Sequence, residues 1–216
     1  MKLSTLRIYN ELLVRYPELE SCKDAVLSSI TTLIDSFQNG HKMLVCGNGG
    51  SAADSEHIVG ELMKGFKLPR RMDEKTQARM RAMFPEEADG MIRNLQGAVP
   101  AISLVSQTAL MTAFSNDQSA QYVFAQQVMG YGEPGDILLA ISTSGNSENI
   151  LHAARTAKIR GVSVIGLTGE SGGKLKVLSD ITICAPSSVT YQIQEYHLPI
   201  YHCLCACVEN ELFGEE

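Results

Sequence analysis

The chain has 216 residues, 44% hydrophobic and 19% charged, enough for one substantial domain with its own core and little more. A formal net charge of −6 argues against nonspecific nucleic-acid binding, while an anionic small molecule remains open to backbone N–H groups and a helix dipole. No apolar run reaches the ~20 residues of a membrane helix, and Met1–Tyr9 has no continuous apolar signal core, so a cytoplasmic protein without a membrane span is expected.

Two amphipathic segments open the sequence and account for residues 1–40. Leu6, Leu12, Leu13 and Tyr16 recur at helical spacing. So do Val26, Ile30, Leu33, Ile34 and Phe37, before Asn39-Gly40 stops the second helix. These helices suit an oligomer contact or packing on the chain's own sheet.

An alternation of strands and helices follows. Short apolar runs at Met43–Cys46, Ala101–Val105, Ile137–Ile141, Val162–Leu167 and Ile181–Cys184 read as buried strands. Helical stretches at Ala52–Lys64, Ala109–Met129 and Ser147–Lys158 separate most of them, and a last helix runs from about Tyr191 to Leu212. The pattern predicts an α/β fold, a doubly wound five-stranded parallel sheet in a single domain spanning 1–216. Ligands of such sheets sit at the carboxyl ends of the strands, in the strand-to-helix loops.

Residues 67–99 break the rhythm where a short link would suffice. The stretch is charged, rich in methionine and interrupted by Pro85 and Gly90; Met80, Met83 and Phe84 predict a short amphipathic helix. It reads as a surface excursion, or as a lid or neighbour contact.

Three loops and two helices carry the candidate chemistry. After the first strand, Gly47-Asn48-Gly49-Gly50-Ser51 allows a tight turn and close approach to a ligand, with Ser51 expected to cap the next helix. It lacks the dinucleotide and P-loop fingerprints. After the third strand, Ser142-Thr143-Ser144-Gly145-Asn146-Ser147 sets hydroxyl groups at a helix start, where they would add donors to orphan N–H groups and suit a phosphate. A turn at Thr168–Gly173 is expected to line the same edge. His57 and Glu61, four apart, share a helix face, while Gln194, His197 and His202 punctuate the apolar final helix. The six cysteines follow no zinc-finger spacing, and Cys203, Cys205 and Cys207 read as small buried thiols.

These motifs, together with Asp54-Ser55-Glu56-His57, Glu61-Leu62, Asn116-Asp117, Gly135–Leu139, Gly166–Gly169 and Gln194-Glu195-Tyr196-His197, resemble the sugar isomerase (SIS) domain family. Within it they are most similar to the phosphoheptose isomerases, over nearly the whole chain apart from 67–99, which reads as an insertion. The resemblance implies a flavodoxin-like SIS fold and a homotetramer with shared active sites. It also implies conversion of sedoheptulose 7-phosphate to glycero-manno-heptose 7-phosphate through a cis-enediol. By the same resemblance Glu61 is the base that moves the carbon-bound proton, and His202, expected from a neighbouring subunit, shuttles protons on the sugar oxygens. Ser142, Thr143, Ser144 and Ser147 would hold the phosphate, while Asn48, Gly49, Gly50, Ser51, Asp117 and Gln194 would contact the sugar. His57, Glu61, Gln194 and His202 match positions that bind zinc (Zn2+) in some members.

Two departures stand out. Lys64-Gly65-Phe66 replaces a family Gly-Arg-Phe whose arginine binds substrate, and Tyr191 stands where an acidic residue is expected. The rival readings are a non-catalytic SIS protein that binds the replication initiator, which lacks the glutamate and the terminal histidine kept here as Glu61 and His202, and a sugar-phosphate sensor.

Overall fold

The computed structural model describes residues 1–215, which form a five-stranded parallel sheet with helices on both faces. Helices α1 (Leu3–Arg15) and α2 (Lys23–Gln38), joined by a 3₁₀ turn at Pro17–Cys22, precede β1 (Met43–Cys46) and α3 (Gly50–Met63). The 67–99 stretch holds two short helices, α4 (Glu74–Met83) and α5 (Ala88–Asn94), rather than one. Then come β2 (Ala101–Ser103), α6 (Thr108–Phe114), α7 (Val123–Tyr131), β3 (Ile137–Ile141) and α8 (Glu148–Ile159). The chain closes with β4 (Ser163–Thr168), α9 (Leu175–Leu178), β5 (Ile181–Cys184) and α10 (Thr190–Phe213).

The expected single helix over Ala109–Met129 is broken. A π-helical turn occupies Ser115–Ser119, and extended Ser119 (φ −162°) accepts a bond from Gln121 N–H at 3.3 Å, starting a fresh 3₁₀ turn. Five polar residues, Ser115-Asn116-Asp117-Gln118-Ser119, give the backbone alternatives to the helical ladder.

The three inner strands, β1, β3 and β4, bury both faces. Met43 and Val45 of β1, with Ile137, Leu139 and Ile141 of β3, face a core built with α1, α2, α3 and α10. Leu44, Cys46, Leu138 and Ala140 face the other core, beneath α7 and α8. This two-sided burial is why the strands read as unbroken apolar runs. All six cysteines are free thiols; burial raises Cys22 to about 11 and Cys46 to about 12, so these groups serve as packing.

Strand order is β2-β1-β3-β4-β5. From β1 the chain winds to β2 on one side, then crosses back to β3 on the other. The reversal leaves a crevice between the carboxyl ends of β1 and β3, where both the glycine-rich and the serine-rich loops emerge. No helix among the described residues is long and apolar enough to cross a membrane.

Candidate active site

The two loops at the crevice are tied together. Asn48 and Asn149 exchange a reciprocal pair of amide hydrogen bonds, each 2.9 Å, from the β1 loop to the first turn of α8. Gly49, at φ +57°, makes the turn into α3 and is itself the N-cap. Ser51 therefore does not cap the helix as expected; it lies inside the first turn, its side chain buried and its N–H donating to Asn48 O at 3.0 Å. Gly50 lies directly against the Gln194 amide of α10, which a Cβ at this position would displace.

The serine loop presents its hydroxyls at the start of α8. Ser147 is the N-cap, yet its hydroxyl makes no capping bond. It lies 3.1 Å from the Ser142 hydroxyl instead. Ser144 Oγ accepts from Asn146 N–H at 3.1 Å, and Thr143 O accepts from Gly169 N–H at 2.9 Å, which lays the Thr168–Gly173 turn against the loop. Hydroxyls from Ser142 and Ser147 and the positive end of a 12-residue helix thus meet in one place, a disposition suited to an anion.

Helices α3 and α10 pack side by side and carry the remaining groups. His57 Nε2 is 3.4 Å from Glu61 Oε1 and 3.4 Å from His202 Nε2. The His57 and His202 rings meet edge-on at 5.0 Å, and Phe66 lies 5.5 Å from the His202 ring. His57 and His202 of the same chain are thus neighbours. Burial, and then the neighbouring His57 imidazole, hold the His202 pKa below its ordinary value, so the ring stays neutral at pH 7 and can both give and take a proton. His202 also opens on a cleft of ≈ 480 Å³ bordered by Arg15, Tyr16 and Lys67.

Glu61 is held from behind as well. Arg70, fully buried, donates to Glu61 O at 2.7 Å and to Leu62 O, carbonyls at the C-terminal end of α3. Its Nε pairs with Glu209 of α10 at 2.7 Å. Glu209 in turn accepts N–H bonds from Phe66, Lys67 and Leu68 at 2.7, 2.7 and 3.1 Å. The wrapped turn explains a departure noted above: a Cβ at Gly65 would stand 2.7 Å from Leu68 O, so this backbone has no room for the family arginine. Lys64, 3.4 Å from Glu61 Oε2, supplies a cation instead. Sequence reasoning missed Arg70 and Glu209, whose only signal was a lone arginine and a lone glutamate in otherwise unremarkable contexts.

Three expected residues are less closely drawn in. Gln194 rests against Gly50, two turns along α10 from His202. Asp117 is exposed on the π turn, bonded to Asn116 at 2.8 Å. Tyr191, in place of the expected acid, is exposed, its hydroxyl accepting from Gln192. For a metal, His57, Glu61 and His202 offer an N, N, O donor set, with His57 Nε2 3.4 Å from a donor atom of each of the other two. As they stand the groups are not closed round an ion: among the described residues no three His, Cys, Asp or Glu side chains form a site able to hold one.

A sequence profile of the SIS domain matches residues 10–103 and 78–169. The phosphoheptose isomerase of Clostridium acetobutylicum is 39% identical over 193 residues, 89% of this chain and 85% of that protein. The chain belongs to the phosphoheptose isomerase branch of the SIS family. Its Helicobacter pylori relative is likewise 39% identical, over 89% of this chain and 86% of that one. Among solved structures, the phosphoheptose isomerase of Neisseria gonorrhoeae superposes with a TM-score of 0.70 at 30% identity, covering 96% and 94% of the two chains. That of Francisella tularensis gives 0.69 at 32% identity, covering 96% and 93%. Both superpositions span nearly the whole length of this SIS-family chain, the 67–99 excursion notwithstanding.

Proposed function

We propose that the protein is an aldose–ketose isomerase that interconverts sedoheptulose 7-phosphate and glycero-manno-heptose 7-phosphate through a cis-enediol. The observation that carries this reading is one helix, α3, with a ligand loop at its start and a carboxylate–imidazole cluster further along. From Gly50 to His57 the helix rises about 10 Å, a length suited to a sugar lying along it.

The phosphate binds Ser142, Thr143, Ser144 and Ser147 and the first amides of α8. Asn48, Gly49, Gly50, Ser51 and Gln194 line the sugar, with Asp117 supplied across a subunit boundary. Glu61 removes the proton from C1 and returns it to C2, while neutral His202 relays a proton between O1 and O2. His57, Glu61, Gln194 and His202 would hold a zinc ion, whose chemistry is to polarise the substrate carbonyl as a Lewis acid; the donor types suit it. A cytoplasmic homotetramer completes the proposal.

The test is turnover of sedoheptulose 7-phosphate by purified protein, followed by NMR of the sugar, with and without added zinc. Conversion in wild type and its loss in Glu61→Gln supports the reading. Tight sugar-phosphate binding without any isomerisation would leave a sensor in place of an enzyme.

A further inference from the structure

Behind the Glu61, His57 and His202 cluster lies a hydrogen-bonded chain that the scheme above does not use. Tyr201, almost fully buried on α10, has its hydroxyl 3.3 Å from Asp54 Oδ1 and 3.0 Å from His57 Nδ1. Its ring meets the His57 ring edge-on at 5.4 Å. A phenol has one proton, and an ionised carboxylate can only accept. The other Asp54 oxygen, Oδ2, is buried with no partner among the described residues, so Tyr201 is the donor available to this carboxylate. Spending that proton on His57 would leave both oxygens of a half-buried carboxylate without a hydrogen bond, which is the costlier arrangement.

Tyr201 therefore donates to Asp54, and its oxygen is left to accept from His57. Nδ1 must then carry the hydrogen, and in a neutral ring Nε2 is bare. That bare nitrogen is the one 3.4 Å from both Glu61 and His202. We propose that Asp54 and Tyr201 are positioning residues that fix His57 as its Nδ1–H tautomer and turn Nε2, as an acceptor, into the cluster. The assignment explains how three electron-pair donors come to face one another: the arrangement is built to receive a proton or a cation. Its functional meaning rests on the reading of this cluster as the reaction centre, whereas the tautomer itself does not.

The experiment is long-range ¹H–¹⁵N correlation on the metal-free, substrate-free protein with ¹⁵N-labelled histidine, His57 being assigned by its absence in His57→Gln. Wild type is expected to show a protonated, pyrrole-type Nδ1 and a bare, pyridine-type Nε2. In Tyr201→Phe, which keeps the ring and loses the hydroxyl, the proton should move toward Nε2, and zinc binding read by calorimetry should weaken on the order of 10-fold. A wild-type His57 carrying its proton on Nε2 overturns the proposal and needs no variant to fold. An unchanged tautomer in a folded Tyr201→Phe overturns it as well. The spectrum is independent of turnover, so a protein that shows the expected tautomer but isomerises no heptose phosphate refutes the function and sustains the positioning role.

Discussion

Ser142 and Ser144 take different parts in the same loop: Ser142 is buried against Ser147, whereas Ser144 is exposed and accepts from Asn146 N–H. Replacing either by alanine should weaken sugar-phosphate binding by about 1.5–3 kcal/mol, the worth of a hydrogen bond to a charged group. Circular dichroism should stay unchanged, and calorimetry showing wild-type affinity would remove the loop from the site. The three polar punctuations of the last helix divide by phase, since five residues turn a helix by about 140°. His202 therefore faces α3, while His197 is buried with Nε2 bonded to Thr168 O at 3.1 Å and Nδ1 unpartnered. The spacing was legible in the sequence, but which imidazole faced the ligand was not, because that depends on what α10 packs against. Burial lowers the His197 pKa from 6.5 to about 4. As pH falls through that window the unfolded chain takes a proton that the folded one refuses, so stability is lost from pH 6.5 downward and complete above it. The contribution is at most about 3 kcal/mol. Urea unfolding at pH 7 and pH 4.5 should show wild type losing more than His197→Gln, whose amide can still reach Thr168 O. Parallel acid curves for the two would refute the buried neutral imidazole.

Elements differ in how openly the sequence declares them. The strands are legible because a sheet covered on both faces needs continuous apolar runs, and Ile137–Ile141 has one with every residue buried. The loops are legible because glycine and serine announce turns and caps. What stays hidden is pairing across the chain: Asn48 meets Asn149 over 101 residues, and Arg70 meets Glu209 over 139. Neither residue signals its partner, and the Arg70–Glu209 pair has no local period at all. Yet this pair closes the last turn of α3, where four carbonyls lack intrahelical donors. Arg70→Leu strands the Glu209 carboxylate with only backbone partners and uncaps Glu61 O and Leu62 O. We expect a loss of about 3–5 kcal/mol, the usual cost of breaking a buried ion pair, read by urea unfolding. The Arg70→Lys variant should recover only part of it, because one ammonium cannot reach the two carbonyls and the carboxylate that the guanidinium spans. Full recovery by lysine would mean that charge alone, and not the forked geometry, holds the turn.

At the scale of the whole molecule, the 67–99 excursion is the part least explained by its own chain. The two ends of the excursion meet where Gly97 N–H donates to Arg70 O and Val99 N–H to Leu62 O, each at 2.9 Å. Helix α4 buries none of its residues and α5 only Ala88, and the two pack chiefly on each other. Met83, Phe84 and Leu95 are left exposed, at 63%, 48% and 50% of their surface. Apolar side chains that a fold does not use for its own core are candidates for another surface. In a homotetramer that surface is a second copy, and light scattering should give a mass four times the 23.5 kDa of one chain. The double substitution Met83→Asp, Phe84→Asp should then lower the mass at micromolar concentration, with the far-ultraviolet spectrum unchanged, because neither side chain supports the domain core. Turnover should fall together with the mass if Asp117, exposed on its π turn, reaches the site of a neighbour. A tetramer that persists with charges at both positions would assign the excursion to the outer surface and return the assembly contact to α1 and α2.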